Sequence, residues 1–315
     1  MPQAARHRLV TLAVLFAAGC GGSSAPKSAS TPTPASGAAG KRIGVTLLTE
    51  QHGFYQALRA GLEQSAREKG YQLFVTSGEF DATRQANQVD EFIAQKVDAI
   101  VLCPCDSRAV GASIAQANQA GIPVFTADIA NASGMGKVIA HIASDNREGG
   151  RRAGDLMARA LGGKGTVAII THPEVTSVQD RVAGFKEAIA KHPAIRIVVE
   201  LSAEGKRDRA VKVMEDILQS HADLDGVFGI NDDSALGALA AIEAAGKSGR
   251  IKIVGYDANP EAQAKIRSGA IYGDVTQDPA RIGQLTIEAI AKHFAGAPVD
   301  SLVPVPVGEF TAKTP

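Results

Sequence analysis

Several short stretches of this 315-residue chain combine carboxylates, amides, an arginine and aromatic rings, and each follows an apolar, β-branched run. Carboxylates and amides form hydrogen bonds with hydroxyl groups, arginine offers a planar fork of donors, and an aromatic face can cover C–H groups. This combination suits a small polyhydroxylated ligand. The stretches are TEQHGFY (49–55), CPCDS (103–107), Asp128, HPEVTSVQDR (172–181), NDDS (231–234), YDANP (256–260) and TQD (276–278).

The runs before these stretches are predicted strands, and apolar residues recur at helical spacing after most of them. Leu58, Leu62 and Ala66 mark one face of the first predicted helix, which ends at Gly70, and Asp81 is a predicted N-cap of the second. Apolar strands that alternate with amphipathic helices indicate parallel sheets covered on both faces. Ligands of such open sheets bind beyond the carboxyl ends of the strands, which is where the polar stretches occur.

The strand–helix unit recurs in two series, one over about 41–128 and one over about 166–257. Two similar, doubly wound α/β domains therefore fit the chain better than one long sheet. Near the C-terminus, VPVPVGEF (303–310) is predicted as a single strand.

Neither nucleotide binding nor catalysis is expected. No Gly-rich turn leads from a strand into a helix N-terminus, and GKS (246–248) follows a predicted helix, where Gly246 fits a C-cap. Nucleophile-elbow, zinc-protease and C-x-x-C patterns do not occur, and no two His stand at metal spacing. We therefore expect no enzyme activity, no cofactor and no metal. Cys103 and Cys105 are predicted to be free, buried thiols.

The charge of the chain is balanced, with 33 basic and 33 acidic residues, and no basic stripe is present. Such a chain has no global field that would attract nucleic acid, so nucleic acid is not an expected partner.

The N-terminus has the pattern of an export signal. Three polar residues, Arg6-His7-Arg8, precede the apolar run LVTLAVLFAAG and then Cys20. A cysteine after AAG resembles the lipobox of bacterial lipoproteins, although Ala17 stands where that motif usually has Leu. Residues 1–19 are thus a predicted signal peptide, and 20–40 a lipidated Cys20 with a flexible Gly/Ser/Pro-rich tether. An ordinary secretory signal cut near the same place is the alternative.

From about Lys41 to the C-terminus the chain resembles the ribose-binding-protein-like family, the type I periplasmic sugar-binding proteins of ABC transporters. The resemblance rests on four stretches in order: HGFYQALRAGLEQSAREKGYQL, AHIASDNREGGRRAG, VFGINDDSALGALAAIEAAGK and IVGYDANPEA. It implies two Rossmann-like lobes joined by three hinge crossovers, with a sugar clamped between them. The crossovers would fall near 144–145, 277–278 and 306–307. The lobes would then comprise 41–144 plus 278–306, and 145–277 plus 307–315.

The resemblance also implies a set of ligand-binding residues. Phe54 and Tyr256 would cover the C–H side of a sugar ring, while Asp128 and Asp257 would accept hydroxyl protons. Helix capping is an alternative role for Asp257 and Asn231, and a surface position is the alternative for Arg181. For the aromatic pair Phe54 and Tyr55, the alternative is a core contact at the start of the helix. The full set is His52, Phe54, Tyr55, Cys103, Asp128, Arg181, Asn231, Tyr256, Asp257 and Gln277.

Departures from the family pattern bear on which sugar is bound. Ile129 stands where ribose binders carry a second arginine, and Gly205 replaces a third aromatic ring. His52, Leu48 and Cys103 occupy positions that usually hold Asn or Ser. A larger or differently substituted monosaccharide, or a cyclic polyol, is therefore at least as well supported as ribose.

The sequence thus predicts a monomeric, lipid-anchored solute-binding protein of the periplasm or cell surface. It would capture a monosaccharide or cyclic polyol by hinge closure and deliver it to ABC permease subunits with their ATPase. A protein that presents its ligand to a chemoreceptor or sensor kinase is the alternative. Two other classes fit less well: the related sugar-responsive repressors need a helix-turn-helix before the core, and an exported α/β enzyme would turn over its bound sugar.

Overall fold

The computed structural model describes residues 40–315. The predicted signal peptide, Cys20 and nearly all of the predicted tether lie outside the described residues. Within residues 40–315, no helix is both long enough and apolar enough to cross a membrane.

The first of two sheets contains six parallel strands, in the spatial order β11-β5-β4-β3-β1-β2. We call this sheet and its helices the N-terminal lobe. Its strands are β1 (Arg42–Leu47), β2 (Gln72–Ser77), β3 (Ala99–Leu102), β4 (Val124–Ala127), β5 (Val138–Ser144) and β11 (Leu302–Val305). Its helices are α1 (Gly53–Glu68), α2 (Ala82–Ala94), α3 (Gly111–Gln119) and α9 (Pro279–Phe294).

The second sheet has the order β12-β10-β9-β8-β6-β7 and is parallel except for the antiparallel edge strand β12. We call this sheet and its helices the C-terminal lobe. Its strands are β6 (Gly165–Thr171), β7 (Ile195–Ser202), β8 (Gly226–Gly229), β9 (Lys252–Asp257), β10 (Gly273–Thr276) and β12 (Gly308–Thr311). Its helices are α4 (Asn146–Leu161), α5 (Thr176–Ile189), α6 (Arg207–Ser220), α7 (Asp232–Ala244) and α8 (Pro260–Arg267).

The chain passes between the sheets three times: from β5 to α4, from β10 to α9, and from β11 to β12. The predicted α/β fold of two doubly wound domains joined by three crossovers is confirmed. The prediction of one strand over VPVPVGEF is wrong, because Pro306 and Val307 separate two strands that pair in different sheets. Asp81 caps α2 as expected, since its side chain accepts hydrogen bonds from the amides of Thr83 and Arg84.

Two glycines allow the crossover helices to pack closely against the helices that reach the cleft. A Cβ atom at Gly150 on α4 would collide with the carbonyl oxygen of Arg181 on α5. One at Gly61 on α1 would likewise collide with the carbonyl of Ala280 on α9. Because protein interiors are close-packed, these contacts fix α1 and α5 against the crossovers. Helices α1 and α5, which carry much of the site, are therefore held in position by α9 and α4.

Candidate functional site

A cavity lies between the carboxyl ends of the two sheets and contains about 390 Å³ that protein atoms do not fill, part of it open to solvent. Its lining comes from both lobes. The lining residues are Leu48, His52, Phe54, Tyr55, Phe80, Asp128, Ile129, His172, Val175, Ser177, Val178, Arg181, Gly205, Ile230, Asn231 and Asp257. Three residues from the predicted set, Cys103, Tyr256 and Gln277, do not line it.

Arg181 is the buried cation of the site. Its Nε donates to Asn146 Oδ1 at 2.8 Å and its Nη1 donates to the Ile230 carbonyl at 2.9 Å. Its guanidinium lies 3.9 Å from the centroid of the Tyr256 ring, and Nη1 is 3.8 Å from Asp257 Oδ1. Burial lowers the pKa of Arg181, but nearby acidic groups raise it more, and the net shift is upward; these groups are Tyr256, Asp257, Asp128 and Tyr55. The alternative that Arg181 is a surface residue is therefore wrong.

Asp128 follows β4 and is 4% exposed. The Tyr55 hydroxyl donates to its Oδ2 at 2.7 Å, while its buried Oδ1 has no hydrogen-bond partner among the described residues. Burial raises the pKa of this carboxyl, and Arg181 and the Tyr55 hydrogen bond oppose the rise. A buried oxygen without a partner is costly unless a ligand supplies a donor. Asp128 is thus placed to accept a hydroxyl proton.

Asp257 ends β9 and receives a hydrogen bond from Gln277 Nε2 to Oδ1 at 2.6 Å. The buried Oε1 of Gln277 lacks a partner within residues 40–315, so Gln277 supports Asp257 although it does not line the cavity. Burial raises the pKa of Asp257 well above its usual range, against the pull of Arg181. Asp257 is not a helix cap, because Asn259 caps α8 by accepting from the Ala262 amide at 2.9 Å.

The two aspartates share an unusual backbone conformation. Asp128 has φ of 65° and Asp257 has φ of 107°, in a region that favours glycine. Strained residues of this kind persist where the surrounding structure holds them, and they cluster at ligand sites. Both carboxyls lie at the end of a strand, Asp128 directly after β4 and Asp257 as the last residue of β9.

Asn231 is placed for both roles that were considered for it, helix capping and contact with a ligand. It lines the cavity, and it also caps α7, because its Oδ1 accepts from the Ser234 amide at 2.9 Å. Its Nδ2 donates to the Gly205 carbonyl at 3.1 Å. An amide oxygen has a second lone pair and an amide nitrogen a second proton, so each atom can still bind a hydroxyl.

Phe54 lines the cavity as expected, but Tyr256 does not form a wall. Tyr256 is fully buried, and its ring lies against the Arg181 guanidinium with its hydroxyl 3.4 Å from Asn146 Oδ1. Successive side chains of a strand point to opposite faces, so Tyr256 and its neighbour Asp257 cannot both face the ligand. The predicted contact between the Tyr256 ring and a sugar is therefore replaced by a contact with Arg181.

Cys103 is fully buried behind the site and also does not contact the cavity. Its carbonyl accepts from Gln85 Nε2 at 3.0 Å, and burial raises the pKa of its thiol well above the usual range. Cys105 is likewise buried and free, as predicted, and burial raises its pKa to about 12. No cluster of metal-ligating side chains occurs in the part of the chain that the structure describes.

Phe80 and His172 line the cavity but were not predicted from the sequence. Phe80 lies beyond the end of β2, where the sequence has no Asn or Gln side chain that would have indicated a ligand site. Its ring centroid is 5.4 Å from that of His52. His172 belongs to a stretch already singled out, in which only Arg181 was selected. Burial lowers the pKa of both His52 and His172, the latter to about 4, so both imidazoles are neutral at neutral pH.

The two lobes contact each other around the cavity. His52 Nε2 of the N-terminal lobe is 3.4 Å from Asp233 Oδ2 of the C-terminal lobe. Lys206 Nζ lies 4.6 Å from the centroid of the Phe80 ring, again across the cleft. The described conformation is therefore a closed one, in which both lobes can contact one ligand.

Known proteins match this chain over most of its length. The family model described as periplasmic binding protein domain matches residues 43–298. The ribose import binding protein RbsB of Bacillus subtilis (strain 168) is 34% identical over 272 residues, covering 86% of this chain and 87% of the relative. The xylitol-binding protein of Mycolicibacterium smegmatis is 33% identical over 240 residues, covering 76% of this chain and 68% of the relative.

Solved structures agree in fold. The Caulobacter myo-inositol binding protein, bound to myo-inositol, has a TM-score of 0.81 at 29% identity, covering 86% of this chain and 93% of that one. An ABC transporter solute-binding protein from Agrobacterium vitis, bound with alpha-D-tagatopyranose, has a TM-score of 0.82 at 30% identity, covering 86% of this chain and 95% of that one. The chain belongs to the periplasmic binding protein domain family.

Proposed function

We propose that this protein captures a monosaccharide or cyclic polyol outside the cytoplasm and delivers it to the permease of an ABC transporter. The observation that carries the proposal is the buried group of Arg181, Asp128 and Asp257 beside the apolar ring of Phe54. One cation, two hydrogen-bond acceptors and an apolar face match the hydroxyl and C–H surfaces of a sugar. The relatives and solved structures named above bind ribose, xylitol, inositol or tagatose.

The mechanism is hinge closure. Asp128 and Phe54 come from the N-terminal lobe, whereas Arg181 and Asp257 come from the C-terminal lobe. A ligand can contact all four only when the lobes are together, so it binds the closed form more tightly and shifts the population toward it. The closed form would then be the state that the permease recognises.

Three further features belong to the proposal: a lipid anchor at Cys20, a monomeric state, and work with permease subunits and their ATPase. The tether of residues 21–40 would hold the lobes away from the membrane.

Replacement of Asp257 by Ala tests the site. Binding of the ligand should be lost, because Arg181 and Gln277 lose the carboxyl that they share, while stability should change little. Asp90→Asn is the matched control, since Asp90 is an exposed carboxylate on α2. Calorimetric titration measures affinity, and normal binding by Asp257→Ala would contradict the site. The link to transport is tested by comparing uptake of the labelled ligand in cells that lack the protein with uptake in cells that contain it.

A further inference from the structure

The helix that carries Arg181 begins without a capping side chain of its own. Helix α5 starts at Thr176, and Val175 before it has no side chain that can accept a hydrogen bond. The first amides of a helix need partners, which a side chain usually supplies. Here Ser107 of the N-terminal lobe supplies one, because its Oγ accepts from the Thr176 amide at 3.0 Å. One lobe therefore caps a helix of the other.

Three more hydrogen bonds join the same segments. The Ser107 amide donates to the Glu174 carbonyl at 3.1 Å, and the Ser107 hydroxyl donates to Thr176 Oγ1 at 3.4 Å. The Ala130 amide donates to Thr176 Oγ1 at 3.0 Å. Ser107 is fully buried, so it has exchanged water for these partners. All four bonds cross between the lobes and can exist only when the lobes are together.

The position of this contact links it to the ligand. Ser177, Val178 and Arg181 on α5 line the cavity, and Ile129, next to Ala130, lines it from the other lobe. Neither Ser107 nor Thr176 lines the cavity. The contact thus acts on the same helix as the ligand but from outside the binding site.

We infer that Ser107 is a positioning residue for ligand capture: it caps helix α5 only in the closed form and so stabilises closure without contacting the ligand. The inference rests on the proposed function, because it requires that binding and closure are linked. Hydrogen bonds that form only in the closed state raise ligand affinity, since a larger closed fraction lowers the cost of binding. The loss of one should appear mainly as faster ligand release.

The first test is Ser107→Ala, with Ser113→Ala as the matched control. Ser113 is a second buried serine of the same lobe, and its side chain forms no hydrogen bond with other described residues. We expect Ser107→Ala to weaken binding of the cognate sugar by about fivefold to tenfold, as loss of an N-cap does, with a faster release rate. The melting temperature of the ligand-free protein should not change, and Ser113→Ala should bind as the unmodified protein does.

Two results would overturn the inference. One is an affinity of Ser107→Ala within twofold of that of the unmodified protein. The other is a loss of affinity that is matched by an equal loss of ligand-free stability, which would indicate a merely structural role.

A second measurement does not depend on the identity of the ligand. With Ser107→Cys and Thr176→Cys in one protein, mild oxidation should join residues 107 and 176, as the 3.4 Å between their hydroxyl oxygens allows. Mass spectrometry of the digested protein identifies the pair and separates it from one with Cys105. Absence of the 107–176 disulfide would show that closure does not bring the segments together. If the disulfide forms but no sugar binds the unmodified protein, the sugar assignment fails while the contact between the lobes stands.

Discussion

The Arg181 guanidinium and the Tyr256 ring face each other at 3.9 Å, and both side chains are buried. The ring contacts the cation without lining the cavity, while Asn146 and Ile230 accept hydrogen bonds from two of its nitrogens. The arginine is therefore oriented before a ligand arrives, which lowers the entropic cost of binding. Tyr256 contributes to the site through Arg181.

Tyr256→Leu should weaken ligand binding on the order of tenfold, because a desolvated cation–π contact of about 1–2 kcal/mol is lost. Tyr256→Phe should retain nearly full affinity, since it keeps the ring face and removes only a long hydrogen bond of 3.4 Å to Asn146. Calorimetric titration of both variants distinguishes the ring from the hydroxyl. Equal binding by Tyr256→Leu and the unmodified protein would show that Arg181 does not need this support.

Gly205→Ala should reduce both stability and affinity. Gly205 has φ of +66°, a conformation in which a side chain costs about 1–2 kcal/mol. The Cβ atom of an alanine there would lie 3.3 Å from Asn231 Nδ2. Gly162→Ala is the control, because Gly162 has φ of +61° with no atom within 4 Å of the added Cβ. Chemical denaturation should show similar destabilisation of the two variants, and titration should show weaker binding for Gly205→Ala only. Equal affinities would mean that the space beside Gly205 is not used by the ligand.

Asp232 and Asp274 should make stability fall as the pH rises. Both are buried in the C-terminal lobe, and Asp232 Oδ2 accepts from the Asn259 amide at 2.6 Å. Burial, with a contribution from Asp274, raises the pKa of Asp232 well above its usual range, and burial raises that of Asp274 to about 7. Carboxyls with raised pKa in the folded state hold protons that the unfolded chain releases. Their stabilisation is complete below about pH 4, and the part that comes from Asp274 is lost as the pH rises through about 7.

The measurement is the free energy of unfolding of the unmodified protein minus that of Asp274→Asn, between pH 5 and 8.5. This difference should decrease with rising pH, because the variant cannot lose the proton. His141 and His172, whose burial lowers their pKa to about 4, act in the opposite sense below pH 6.5, and their effects cancel in the difference. A difference that is independent of pH would show that the pKa of Asp274 is not raised in the folded protein.

The sequence predicted the fold and most of the cavity because strand ends are readable from apolar runs. Asp128 and Asp257 are 129 positions apart in the sequence, yet Asp128 directly follows β4 and Asp257 is the last residue of β9, and the fold brings such strand ends to one cleft. Tyr256 was misplaced because the pattern fixes the end of β9 but not which of two adjacent residues faces the cavity. Phe80 and Ser107 were missed because their roles depend on packing against the opposite lobe, which local sequence does not encode.

The central claim is that the cavity binds a neutral sugar or polyol, and a thermal-shift series tests it most directly. The purified protein, denatured and refolded to remove any bound ligand, is heated with single pentoses, hexoses, inositols and phosphorylated sugars. A ligand at a hundred times its dissociation constant adds about 2.7 kcal/mol of stability, which raises the melting temperature by several degrees. We expect such a rise with at least one neutral sugar or polyol and none in Asp257→Ala. No rise with any neutral sugar or polyol would contradict the assignment.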